Sequence, residues 1–111
     1  MKIEQIRHGT VLVLVPDCAL IEEETEEFAG RVRECFQTGN VKIVVQLNNV
    51  PFIDSAGLEM LLVLYSEALA LGGELKISAP TDIGRDILTA TRLNNVFEVH
   101  ASTADARRSF V

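Results

Sequence analysis

A serine that directly follows an aspartate lies near the middle of the chain, where an apolar segment meets two small residues. The stretch Phe52–Leu61 reads FIDSAGLEML, and it places Asp54 and Ser55 just before Ala56 and Gly57. The pattern predicts a strand, a tight turn and the start of a helix. A hydroxyl there has two uses. Either it or the aspartate beside it caps the helix by accepting a hydrogen bond from a free backbone N–H, which stabilises the helix by about 1 kcal/mol, or another protein modifies the hydroxyl.

Phosphorylation is the modification that suits this position. The first turn of a helix offers free N–H groups and the positive end of the helix dipole, so it accommodates a phosphate without loss of the fold. The phosphate adds about −1.5 to −2 charge, which a docked acidic or apolar surface does not tolerate. Modification of Ser55 would therefore act as a switch: the bare hydroxyl binds a partner and the phosphate repels it. The carboxylates of Asp54 and Glu59 would add to the negative charge around the phosphate.

Residues for catalysis or for a metal ion do not form a known motif. The sequence has no GxGxxG after a predicted strand, no GxxxxGK[ST] and no GxSxG. His8 and His100 are the two histidines, and neither lies in a metal-ligand spacing or near Ser55 in the sequence. The distant Cys18 and Cys35 favour reduced thiols used as small apolar residues. We therefore predict a protein that is not an enzyme, with no catalytic residue, cofactor or metal site of its own.

The composition is that of a folded, acidic protein. The 111 residues, 48% of them hydrophobic, predict one domain over residues 1–111 with a substantial core. The formal net charge of −6 argues against nucleic-acid binding, which uses clustered Lys and Arg, and it suits a partner with a basic patch. No segment has the pattern of a signal peptide, and no apolar run approaches the roughly 18 residues of a membrane span. We expect a cytoplasmic protein that does not insert into membranes.

Five strands and four helices are needed to position the Asp-Ser pair. Residues 2–8 and 11–15 flank a Gly9-Thr10 turn and predict a hairpin, whose second strand, VLVLV, is apolar enough to be buried on both faces. The segments VKIVVQLNNV, ELKIS and VFEVH predict three more strands. Helices are predicted in the acidic segment before Gly39, from the Asp-Ser pair to about Leu71, after the N-cap Thr81, and in STADARRSFV, capped by Ser102 or Thr103.

The resulting order, β-β-α-β-α-β-α-β-α, predicts an α/β fold with a mixed, mostly parallel sheet of about five strands and about four helices. In the third helix, Ile83, Ile87 and Leu88 are predicted to face inward. In the second helix, one predicted core-facing stripe comprises Leu58, Leu61, Leu62, Tyr65, Ala68 and Leu69, with Met60, Val63, Leu64 and Leu71 beside or opposite it. This excess of apolar residues is as consistent with a homodimer contact as with burial in the core.

The segment LNNVPFIDSAGLEMLL resembles the signature of STAS domains, in particular of the anti-sigma factor antagonists (anti-anti-sigma factors). The family pattern is a strand, a short loop, Asp-Ser, a small residue, Gly-Leu and an apolar helix. The downstream segment GGELKISAPTDIGRDILTATRLNNVFEVHASTADA is also similar to the family, so the resemblance covers about residues 41–110.

The resemblance implies a bacterial phosphoprotein that regulates transcription by partner switching. Ser55 would be phosphorylated by an anti-sigma factor that is a serine kinase of the histidine-kinase-like ATPase fold, and a PP2C-type phosphatase would reverse the modification. The unphosphorylated form would bind the kinase and free the sigma factor, while ATP and Mg²⁺ would belong to the kinase. The partner-binding residues implied are Asp54, Ser55, Ala56, Gly57, Leu58 and Glu59.

Two features depart from the family pattern. Residues 16–27 lack the usual Gly-Glu-[Leu/Ile]-Asp step and form a longer acidic approach to the first helix, and Glu59 stands where a small residue is common. STAS domains also serve as fixed parts of transporters and other signalling complexes. In that alternative the chain is a constitutive assembly subunit, and Ser55 only caps its helix.

Overall fold

The computed structural model describes residues 1–110, and its elements follow the predicted order. The strands are β1 (Ile3–His8), β2 (Val11–Pro16), β3 (Lys42–Gln46), β4 (Glu74–Ser78) and β5 (Val99–His100). The helices are α1 (Thr25–Gln37), α2 (Ser55–Ala70), α3 (Asp82–Ala90) and α4 (Thr103–Arg108), with 3₁₀ turns at Glu22–Glu24 and Leu93–Asn95.

The strands form one sheet in the order β1-β2-β3-β4-β5. β1 and β2 are an antiparallel hairpin, and every later pair is parallel. The sheet confirms the predicted α/β class and the antiparallel edge. Because β2 and β3 are parallel, the segments that leave them start at the same edge of the sheet, and this edge positions the Asp-Ser pair.

Side chains of β2 alternate between two cores. Leu12 and Leu14 pack with residues of α1 and α2 in the larger core, whereas Val11, Val13 and Val15 pack on the other face with Ala106 of α4. All six residues of β2 are buried, so the prediction of a strand covered on both faces is confirmed.

The buried arc of α2 differs from the predicted stripe. Met60 and Leu64, expected beside or opposite the stripe, belong to the core, and Leu69, expected within it, is 47% exposed. The prediction for Leu58, Leu61 and Ala68 is confirmed. The difference arises because α2 packs against α1 as well as on the sheet. The spacing of apolar residues predicts that a helix has a buried side, but not which residues two packing partners will cover.

Two further expectations about the last third of the chain are confirmed only in part. Ile83 was expected to face inward but is 58% exposed at the start of α3, although Leu88 is buried. Only Val99 and His100 of VFEVH are in a strand. The 3₁₀ turn before them carries Phe97 into the core, which takes Val96 and Phe97 out of the strand, while the Glu98 carbonyl still accepts the N–H of Ile77 in β4 at 3.0 Å. Thr81 caps α3 as predicted.

Candidate functional site

Ser55 is the first residue of α2, and its side chain is exposed. The loop that leads to it from β3 is held by Ile53, which is 4% exposed and forms a parallel bridge with Leu20. Leu20 donates its N–H to the Phe52 carbonyl at 3.1 Å and accepts the Asp54 N–H at 3.1 Å. The segment before α1 and the turn before α2 therefore form one structural unit.

Asp54, and not Ser55, is the residue that caps α2. Its Oδ1 accepts the N–H of Gly57 at 2.8 Å, which satisfies one of the free donors of the first turn. Its Oδ2 accepts the N–H of Glu22 at 3.0 Å and so ties the acidic approach to α1 onto the start of α2. Of the two residues that the sequence offers as the cap, the structure selects the aspartate.

Gly57 makes the close approach of these two segments feasible. A side-chain carbon built on Gly57 would overlap the carbonyl of Leu20 and would lie 2.9 Å from a methyl carbon of Ile53. Only a residue without Cβ leaves room for that carbonyl, which must stay in place to accept the Asp54 N–H. The glycine of the Ala-Gly pair is thus a packing requirement.

The predicted partner-binding residues fall into two groups. Ser55 and Glu59 are exposed, while Asp54 and Ala56 are partly exposed beside them. Gly57 and Leu58 are buried, so they shape the turn from within and offer little surface of their own.

Sequence reasoning did not select Phe52, although its ring is 45% exposed only three positions before Ser55. A large apolar side chain in a loop between a strand and a helix was the signal that could have drawn attention to it. Together, the exposed hydroxyl, carboxylates and aromatic ring offer a small mixed surface suited to contact with another protein.

Groups that would support other chemistry are poorly placed. Burial raises the pKa of the Cys35 thiol, and burial together with Glu24 raises that of Cys18, so both thiols are held in the protonated, less reactive form. Among residues 1–110, no three His, Cys, Asp or Glu side chains are grouped so as to hold a metal ion. Within the same residues, no helix has the length and apolar character to cross a membrane.

Comparisons with known proteins agree on the fold. The chain matches the family model of the STAS domain over residues 2–106. The protein TM1081 of Thermotoga maritima superposes with a TM-score of 0.90 at 22% identity, over 96% of this chain and 92% of that one. The Bacillus anti-sigma factor antagonist SpoIIAA, in its phosphorylated form, has a TM-score of 0.74 at 17% identity, over 99% of this chain and all of that one (100%).

A stretch of the murine anion transporter Slc26a9 is also similar, with a TM-score of 0.65 at 17% identity, over 77% of this chain but 14% of that one. At these identities each structural likeness shows a shared fold, and the fold occurs both as a free-standing chain and inside a transporter.

Proposed function

This chain belongs to the STAS domain family, and we propose that it is a phosphorylation-switched protein-binding module, an anti-sigma factor antagonist in a partner-switching pathway. Its structural neighbours include the anti-sigma factor antagonist SpoIIAA, which is known in unphosphorylated and phosphorylated forms. In this proposal Ser55 is the phosphoacceptor, and the surface around it binds the partner only while the hydroxyl is bare.

The observation that supports the proposal is that Asp54 has a structural role at the start of α2, whereas the Ser55 hydroxyl has none. Asp54 already caps α2 through Gly57 and holds Glu22. The exposed Ser55 hydroxyl makes no hydrogen bond with another of residues 1–110 and does not hold the fold together. A hydroxyl that is accessible and has no structural role can be modified without destabilising the domain.

A phosphate on Ser55 would change the surface while leaving the fold intact. It would sit over the first turn of α2, where backbone N–H groups without an intrahelical partner and the helix dipole favour an anion. It would also stand among the carboxylates of Asp54 and Glu59, and so would concentrate negative charge beside the exposed ring of Phe52. A partner surface that packs on that ring and approaches the bare hydroxyl would have to desolvate this charge, which is unfavourable.

The partners proposed are an anti-sigma factor that is also a serine kinase of the histidine-kinase-like ATPase fold, and a PP2C-type phosphatase. ATP and Mg²⁺ would be bound by the kinase. The proposal places the protein in the cytoplasm of a bacterium, as a regulator without enzymatic activity. A homodimer is a separate proposal, supported by the exposed Leu69 and Leu71 at the far end of α2, and sedimentation of the purified protein tests it.

The test is intact-mass measurement and fragment mapping of the protein from its own cells, under growth and stress. We expect a phosphate on Ser55 whose occupancy changes with condition. Capture of partners with Ser55→Ala should retain an ATPase of the kinase type, and Ser55→Asp should weaken its binding at least about tenfold. Ser66→Ala, at an exposed serine of the same helix, is the matched control. A Ser55 that stays unmodified in every condition would refute the switch.

One observation favours a second function. The similar stretch of Slc26a9 belongs to an anion transporter, so this chain could instead be a constitutive assembly part of a transporter or signalling complex. In that case Ser55 carries no phosphate, and Ser55→Ala and Ser55→Asp bind the same complex equally well. The mass measurement and the pair of variants therefore separate the two functions.

A further inference from the structure

A groove of about 350 Å³ runs between α1 and α2, next to the site described above. Both helices begin at the same edge of the sheet, and the bond from the Glu22 N–H to Asp54 holds these beginnings together. Residues at helical spacing line the two sides, with Glu26, Ala29 and Arg33 on α1 and a matching row on α2. The groove thus starts beside Ser55 and runs along both helices.

The floor of the groove is apolar, and one rim is too. Ala29 and Met60 form the floor and are almost fully buried, with exposures of 6% and 8%. Val63, on the α2 rim, is 44% exposed, which is unusual for a valine on a helix that supplies much of the core. An apolar strip is therefore left open to solvent between the helices.

The mouth of the groove is strongly acidic. Glu22, Glu26 and Glu59 line it, and none of these three carboxylates forms an ion pair within residues 1–110. The one cation in the lining, Arg33, makes a two-bond ion pair with Glu67 at 3.0 and 2.7 Å. The positive charge of Arg33 is therefore already balanced by Glu67 at the far end of the groove. The negative charge of the three carboxylates at the mouth is not balanced.

We propose that this groove docks a cationic amphipathic helix of the partner, with its apolar side chains over the strip and its Lys or Arg side chains against the mouth. Two helices with lining residues three and four positions apart present ridges onto which a third helix packs. The groove is too small for a whole helix but holds side chains from one. The assignment of this helix to the kinase rests on the proposed function. The cationic and apolar character of the helix is inferred from the groove alone.

This contact would not release the partner when Ser55 is phosphorylated. A phosphate at the mouth has the same sign as Glu22 and Glu59, so it attracts a cationic segment as they do. Release would come from the surface of Ser55 and Phe52, while the groove keeps its affinity. The groove would therefore keep its own share of the affinity after phosphoryl transfer, although the partner as a whole is released.

The test is a titration of the purified, ¹⁵N-labelled protein with a synthetic helical peptide of about 15 residues. The peptide consists of Leu, Ala and Lys, with leucines along one face and lysines on both edges of that face. A second peptide with Glu in place of Lys controls for apolar binding. We expect amide shifts that cluster at Ala29, Ala56 and Val63, and no binding of the Glu peptide.

Two triple variants with equal charge, −6 + 3 = −3, make the test specific. E22Q/E26Q/E59Q should raise the Kd of the Lys peptide about tenfold, whereas E4Q/E34Q/D86N, which neutralises exposed acids outside the groove, should leave it within about twofold. Ser55→Asp should bind the peptide at least as tightly as the unchanged protein.

The proposal would be overturned by no binding of the Lys peptide, by shifts scattered over the surface, by equal weakening with both triple variants, or by equal binding of the Glu peptide. Concentration-dependent shifts of the groove residues without peptide would instead assign the groove to a second copy of the chain, and would also overturn it. Because the titration uses no kinase and no phosphate, its failure is distinct from failure of the switch.

Discussion

Replacing Asp54 and Ser55 one at a time tests which of them holds the start of α2. Asp54→Ala removes both bonds of the carboxylate, the cap to the Gly57 N–H and the tie to the Glu22 N–H. The cap is worth about 1 kcal/mol. The second bond, which is charge-assisted but solvent-exposed, adds roughly another 1 kcal/mol. We therefore expect Asp54→Ala to lower the free energy of unfolding by about 2 kcal/mol.

The neighbouring substitution is the matched control. Ser55→Ala removes a hydroxyl that bonds to no other residue in the described chain, so the change in unfolding free energy should stay within about 0.5 kcal/mol. Asp54→Asn keeps a single acceptor oxygen and should lie between the other two variants. Urea denaturation followed by far-UV circular dichroism measures all three, and an unchanged m-value shows that the unfolding reaction is the same. A loss for Ser55→Ala as large as that for Asp54→Ala would refute the assignment of the cap.

Three further substitutions have defined outcomes, the first two in the same denaturation assay and the third in amide hydrogen exchange. Gly57→Ala should cost about 1–3 kcal/mol, because its new methyl group overlaps the Leu20 carbonyl. Glu67→Gln should cost a few tenths of a kcal/mol at neutral pH, because the Arg33 hydrogen bond to this partly exposed carboxylate lowers the Glu67 pKa. That difference is present above the unfolded pKa and is lost as the pH falls through the lowered folded pKa. Lys76→Ala should speed amide exchange in α4, since Lys76 is buried and its ammonium group holds the segment after that helix.

Each of these expectations has an outcome that contradicts it. A Gly57→Ala variant as stable as the unchanged protein would mean that the segment before α1 does not lie against α2. A cost of Glu67→Gln that persists unchanged in acid would mean that the ion pair is not its source. Exchange that rises equally in α3 and α4 for Lys76→Ala would show general destabilisation in place of a local contact.

Prediction from the sequence worked best where structure depends on neighbours a few residues apart. Alternation and β-branching in the hairpin, the Thr81 cap and the apolar run of β2 are local signals, and the structure agrees with each. The errors concern Ile83, Leu69 and Met60, whose burial depends on which neighbouring elements pack against their helices. Spacing indicates that a helix has an apolar arc, but not how that arc is rotated within the fold.

In the candidate site, too, local sequence signals predicted some features and tertiary contacts decided the others. The sequence by itself determined that an Asp-Ser pair lies at a strand-to-helix junction, because strand residues, small residues and an apolar helix follow one another there. Only the tertiary structure decided which residue caps the helix and what lies beside it. Asp54 bonds to the N–H of Glu22, 32 residues earlier, and Leu20 packs against Gly57. The groove likewise needs two helices brought side by side, and no local pattern specifies that arrangement because it results from long-range packing of both helices on one sheet.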